Sequence, residues 1–168
     1  MRELKEYVKA VLYAYPLLKN VDEEYGEYVK TKAVLSYRKN APTFEIATDI
    51  ATQIVERDNL LWLKERVEKV LLKLTPSERE LVESRYFKPS KKEKTRLVEA
   101  GCSWSERKYF RMQNRLGEKL EKRLEKAGVD ENTFIRYFAT VDIFRMVQRY
   151  VARDRRKMEK AGVFNRQN

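Results

Sequence analysis

Apolar residues recur along almost the whole chain at intervals of three and four, and almost nowhere at the alternating spacing of a strand, so the chain reads as a succession of helices. Leu4, Tyr7, Val8, Val11, Leu12 and Tyr15 mark the face of a first helix, which Pro16 should kink or end because its ring removes an amide donor. Asp22 is placed to cap a second helix carrying Tyr25, Tyr28, Val29 and Leu35, which fades at Arg38, Lys39 and Asn40 ahead of Ala41 and Pro42. Thr43 is a natural N-cap for a long amphipathic helix. Its apolar positions run from Phe44 through Ile46, Ile50, Ile54, Leu61, Leu63, Val67, Val70 and Leu71 to Leu74, with Asp58 and Asn59 the place where it could break. Residues 1–74 therefore form an expected helical packing or interaction module.

The next stretch, residues 75–128, is sharply punctuated. Thr75, Pro76 and Glu78 place a capping residue, a proline at the first helical position and a reciprocal carboxylate, so a helix starts here and runs to about Phe87. Lys88, Pro89 and Ser90 make a turn, and Ser90 with Glu93 opens a short helix that ends at Ala100, with Gly101 supplying a left-handed turn. Ser103 with Glu106, or Ser105 in competition, caps a basic helix that continues through Lys126 until Gly128 stops it. Asp130 caps the last element, where Phe134, Tyr137, Phe138, Val141, Phe144, Val147 and Val151 predict one long helix with a wide apolar stripe and a basic continuation. The expected fold is all-α: a helical N-terminal module, a three-helix module over 75–128 and a long C-terminal helix over 129–168.

Composition narrows the chemistry. The 168 residues hold 37 Lys plus Arg against 26 Asp plus Glu, a net charge of +11, which suits a polyanionic partner. The charge is uneven: residues 1–74 carry 13 basic and 12 acidic side chains, residues 75–128 carry 15 and 9, and residues 129–168 carry 9 and 5. No His is present and Cys102 stands alone, so His-dependent triads, zinc fingers and disulfide frameworks cannot be built; no catalytic residue, metal or cofactor is expected. Cys102 reads as a small buried hydrophobe. No apolar run approaches the roughly 18 residues of a spanning helix, and the N-terminus lacks signal-peptide features, so the chain is expected in the cytoplasm with no membrane partner.

A short helix, a glycine turn and a second helix rich in Arg and Lys is the plan of a helix-turn-helix, whose second helix lies in the major groove of double-stranded DNA. Tyr109, Met112, Leu116 and Leu120 supply the inward face of that helix, with Trp104 beside its start, while Glu106, Arg107, Phe110, Arg111, Asn114 and Arg115 point away. Arg107, Arg111 and Asn114 are the expected base contacts, because Arg grips guanine and Asn adenine with two hydrogen bonds each. Lys108, Arg115, Lys119 and Lys122 suit phosphates. The aromatic count also raises single-strand binding by stacking, but most of these rings fall at core spacing.

The stretches LTPSERELVESRYF, from Leu74 to Phe87, and SERKYFRMQNR, from Ser105 to Arg115, resemble the region-four DNA-binding module of sigma factors, and more closely the ArpU-type phage and prophage regulators of late genes. The resemblance covers about residues 70–124. It implies that the first stretch buttresses the fold and that the second is the recognition helix, which carries over to Arg107, Lys108, Arg111, Asn114 and Arg115. The helix KKEKTRLVEAG is more basic than the family's usual version, the turn GCSWS is longer than in simple helix-turn-helix proteins, and Gly117 stands where a helix former is usual.

The resemblance implies a sequence-specific transcriptional regulator of a phage or prophage, with RNA polymerase as a further partner. Two alternatives remain open: a packaging protein of the small-terminase kind, and a protein that docks on RNA polymerase or a sigma factor. The stripe from Phe134 to Val151 has two readings of equal weight, packing against the N-terminal helices or the interface of a homodimer whose recognition helices meet two half-sites. The basic extension from Arg149 to Lys160 is either a further phosphate contact or a solvated tail.

Overall fold

The computed structural model describes residues 4–39, 42–87 and 105–160. The expected capping box at Ser90 and Glu93, the short helix to Ala100, Gly101, Cys102, Ser103 and Trp104 lie outside the described residues. The helices are α1 (Glu6–Leu18), α2 (Val21–Lys39), α3 (Thr43–Leu72), α4 (Pro76–Val82), α5 (Glu106–Lys126), α6 (Glu131–Tyr137) and α7 (Asp142–Lys160), with a π-helical turn, Glu83–Phe87, continuing α4. No strand occurs among the described residues, and the fold is all-α.

Between Tyr7 and Leu18 the only charged residue is Lys9, and a helix that is apolar nearly all round must be covered on nearly all sides. Helix α1 is accordingly the axis of the fold, packed by α3, α5, α7 and the π-helical turn. Its Val8, Val11, Leu12 and Leu18 are buried, and so is Lys9. Pro16 is accommodated inside the last turn, and the helix ends two residues later. One hydrophobic core takes Leu60, Leu63 and Val67 from α3, Leu81 and Val82 from α4, Leu116, Leu120 and Leu124 from α5, and Phe138, Phe144 and Val147 from the C-terminal stretch.

Several helix ends follow from local chemistry. Thr75 Oγ1 accepts from the Glu78 amide at 3.3 Å while the Glu78 carboxylate accepts from the Thr75 amide at 2.9 Å, with Pro76 at the first position. Asp130 accepts from the Thr133 amide at 2.7 Å, and this backbone bond holds its carboxyl below the ordinary value. Helix α5 closes on Gly128, at φ 87°: the Gly128 amide donates to Glu125 and the Val129 amide to Leu124, the paired bonds of a left-handed helix stop. Two other starts differ from expectation. Asp22 lies inside the first turn of α2, and Thr43 is itself the first residue of α3, preceded by Pro42 without a side-chain cap.

Helix α3 runs through Asp58 and Asn59 without a break. The Asp58 carboxylate accepts from the Arg57 guanidinium at 3.1 Å instead of competing for backbone amides. At about 1.5 Å per residue, its 30 residues span about 45 Å, yet only its second half, from Leu60 onward, is buried. The first half pairs with α2 through a Tyr25–Glu56 hydrogen bond of 3.3 Å and a Lys32–Asp49 ion pair. Of the described residues of α2, Val21 alone is buried, so α2 and the first half of α3 form a two-helix arm standing out from the core.

The C-terminal stretch corrects one expectation and bears on another. It is not one helix: α6 stops at Tyr137, Phe138 takes φ −126°, and α7 begins at Asp142. On an unbroken helix Phe138 and Phe144 would point roughly 120° apart. The turn instead gathers Phe134, Phe138 and Phe144, with Phe134 and Phe144 edge-to-face at 5.0 Å and Phe138 at 5.7 Å from Phe144. Of the two readings of the stripe, packing within the chain is the one these residues follow. Phe138, Val141, Phe144, Val147 and Val151 are buried inside the chain, mostly by the packing of α7 on α1.

Candidate nucleic-acid interface

Helix α5 is divided along its length into a half that presents side chains and a half that is held. Ser105 caps it, its hydroxyl accepting from the Lys108 amide at 3.4 Å. Tyr109 and Leu116 are buried and Met112 packs against the core, which fixes the opposite face outward. Arg107, Lys108, Arg111 and Arg115 are exposed on it and Asn114 is half-buried. Arg107, Arg111 and Arg115 make no ion pair among the described residues. At about 1.5 Å of rise per residue, Arg107 to Asn114 covers about 10 Å, the height of roughly three stacked base pairs.

The second half of α5 is bound to its neighbours. Lys119 Nζ meets both carboxylate oxygens of Glu78 at 2.6 Å. Partial burial works against ionisation of Glu78, but the Lys119 ammonium and the Thr75 amide outweigh it and hold the carboxyl below its ordinary value. Lys119, expected among the phosphate contacts, is therefore a strut between α5 and α4: a charge already neutralised within the fold has little left for DNA. Arg123 donates to the Lys73 carbonyl at 2.8 Å and Arg79 to the Leu71 carbonyl at 3.1 Å, so two guanidiniums satisfy the free end of α3. Lys5 reaches Glu121 at 2.8 Å and Glu125 at 3.1 Å, and these hydrogen bonds raise its pKa. At Gly117 a Cβ would lie 3.1 Å from the Leu4 side chain, a close but adjustable contact. Lys122 remains exposed, with no ion pair among the described residues.

Two further side chains bear on this surface. Phe110, 40% exposed, stands among Arg107, Arg111 and Asn114 and rests edge-on against Tyr109, a placement suited to the methyl group of a thymine. Its position on the same face is legible in the spacing. The second is Arg85, which donates to Gln113, whose amide in turn donates to the Tyr109 hydroxyl. Separated by 28 residues, that pair has no signature in the sequence. It fixes the presenting half of α5 to the π-helical turn.

On α7, Arg149, Arg153 and Arg156 are also exposed. The side chains of Arg155, Lys157 and Lys160 lie outside the described residues. Among the described residues no cluster of His, Cys, Asp and Glu could hold a metal ion, and no helix is long and apolar enough to cross a membrane. Compared with protein-family models, with curated proteins and with solved structures, the chain matches none.

Proposed function

We propose that the chain is a sequence-specific DNA-binding transcriptional regulator that lays the first half of α5 in the major groove of double-stranded DNA. The observation that carries this reading is the division of α5: an N-terminal half with three exposed arginines that make no ion pair among the described residues, on a helix whose other half is held by Lys5, Glu78 and the α3 terminus. Such an arrangement offers long cationic donors at fixed register, as base reading needs. Arg107, Arg111 and Asn114 read base edges with Phe110 as an apolar neighbour; Lys108, Arg115 and Lys122 take phosphates. The likeness of Leu74–Phe87 and Ser105–Arg115 to sigma region four and to the ArpU-type regulators supports a role in phage or prophage transcription in the cytoplasm, with RNA polymerase as a further partner and no catalytic step.

Selection of bound duplexes from a random pool by the full-length chain, repeated with Arg111→Ala, tests the reading. The expected result is a defined site and a loss of about 1–3 kcal/mol confined to one base position. An equal loss on every duplex would show that Arg111 contacts only phosphate.

A second reading, a phage packaging protein of the small-terminase kind, draws support from the exposed arm of α2 and α3, since such proteins join a DNA-binding unit to an assembling helix. A ring of many subunits in solution would favour it over the regulator.

A further inference from the structure

Helix α7 carries a row of arginines that base reading by α5 does not use. Its Phe144, Val147 and Val151 are buried, which fixes one face of the helix against the core and turns the opposite face to solvent. At about 100° per residue, Arg145, Arg149, Arg153 and Arg156 fall within an arc of about 80° on that opposite face, and all four are exposed. Gln148 and Ala152, beside them, are exposed and neutral. Between Arg145 and Arg156 no acidic residue falls within the arc. Arg145 meets the exposed Asp142 carboxylate at 3.6 Å, while Arg149, Arg153 and Arg156 make no ion pair among the described residues.

Like charges four residues apart repel, so the row works against α7 until an anion neutralises it. From Arg145 to Arg156 it rises about 16 Å, the length of roughly five base pairs along a duplex. A cation at nearly every turn over that length suits a polymer with regularly spaced anions, and each guanidinium can grip a phosphate with two hydrogen bonds. A membrane surface is a poor match. A helix lying in a bilayer interface buries its apolar face among the lipids, whereas the apolar face of α7 is packed on α1.

The row is also tied to the recognition helix by a chain of contacts. Tyr150 of α7 stacks on Tyr13 of α1 at 6.2 Å, and Tyr13 meets Tyr86 of the π-helical turn edge-on at 5.1 Å. Arg85 of the same turn donates to Gln113 of α5. The two helices therefore keep a fixed relation through one turn of chain.

We propose that the Arg145–Arg156 face of α7 is a second contact with double-stranded DNA, one that takes phosphates without reading bases. The inference deepens the DNA reading and takes the identity of its polyanion from it.

The test is fluorescence anisotropy of the full-length chain with its selected duplex and with a scrambled one, across a salt series. Three proteins are compared: the wild type, Arg149→Ala with Arg153→Ala, and Arg149→Lys with Arg153→Lys. Both positions are exposed, so thermal melts should not change. The alanine pair should reduce the salt slope by about two and weaken both duplexes alike, by about tenfold or more at low salt, with the preference for the selected duplex unchanged. The lysine pair keeps the charge and should keep the wild-type slope. An alanine pair with the wild-type slope would overturn the proposal and leave base reading by α5 standing. A wild type that binds both duplexes equally, with a slope that the alanine pair reduces, would support the phosphate contact and contradict base reading. A lost preference in the alanine pair, a slope that lysine fails to restore, or a wild type that binds no duplex at low salt would each overturn the proposal.

Discussion

Lys119 Nζ lies 2.6 Å from both carboxylate oxygens of Glu78, and the same carboxylate accepts the Thr75 amide that opens α4. One side chain therefore starts one helix and anchors the next, 41 residues away in sequence. Because Glu78 is held below its ordinary pKa, its contribution is fully present above the unfolded-state value and is lost as pH falls through the lower folded-state value. Glu78→Gln keeps the shape of the capping box and removes the charge, and should cost about 1 kcal/mol at neutral pH. Urea unfolding of both proteins across a pH series checks it: the difference should shrink as the pH drops below the carboxylate range. A difference that persists undiminished in acid would mean that the ion pair is not its source.

The burial of the C-terminal stripe decides what truncation does. Removing residues after Gly128 takes Phe138, Phe144 and Val147 out of the core and uncovers α1. The shortened chain should fail to fold cooperatively, and Phe144→Ala in the full chain should cost about 3–5 kcal/mol. Thermal melts followed by circular dichroism check both. A truncated chain with a sharp melt near that of the full protein would contradict the packing described.

Much of this fold was legible in the order of residues, because caps and stops are local. Thr75 with Glu78, Ser105, Asp130 and Gly128 each act within four residues, and each bounds a helix as its chemistry dictates. The break at Phe138 was not legible: no Gly or Pro marks it, and its cause is the gathering of three rings against α1. The destiny of the C-terminal stripe was equally hidden, since an apolar face looks the same whether its cover comes from the same chain or another. On α5 the outward and inward faces followed from spacing, whereas the occupation of Lys119 depended on a carboxylate from another helix.

Gly128 and Gly117 should respond differently to alanine. Gly128 sits at φ 87°, where an L side chain is strained, so Gly128→Ala should destabilise by about 1–2 kcal/mol although Trp62, at 3.7 Å, leaves room for a methyl group. At Gly117 the gain in helix propensity, about 0.5–1 kcal/mol, is set against a 3.1 Å approach to the Leu4 side chain, a flexible neighbour that can yield. The net change there should lie near zero. Chemical denaturation of the two variants checks the contrast, and equal losses would contradict it.

The exposed and the engaged lysines of α5 should separate in mutant behaviour. Lys122→Ala, on an exposed lysine, should weaken all duplexes alike and reduce the salt slope by about one, whereas Lys119→Ala should lower stability and leave the slope unchanged. Fluorescence anisotropy with a labelled duplex, paired with a denaturation curve for each variant, separates the two effects. A reduced slope for Lys119→Ala would return that residue to the phosphate contacts.

The most direct measurement is the equilibrium affinity of the full-length chain for its selected duplex and for a scrambled duplex of equal length, across a salt series. Log affinity should fall linearly with log salt, with a slope of about −3 to −5 set by the few phosphates that the exposed lysines and arginines neutralise, and the selected duplex should bind at least about a thousandfold tighter than the scrambled one. Equal affinity for the two duplexes, a slope near zero, or no binding at low salt would contradict it.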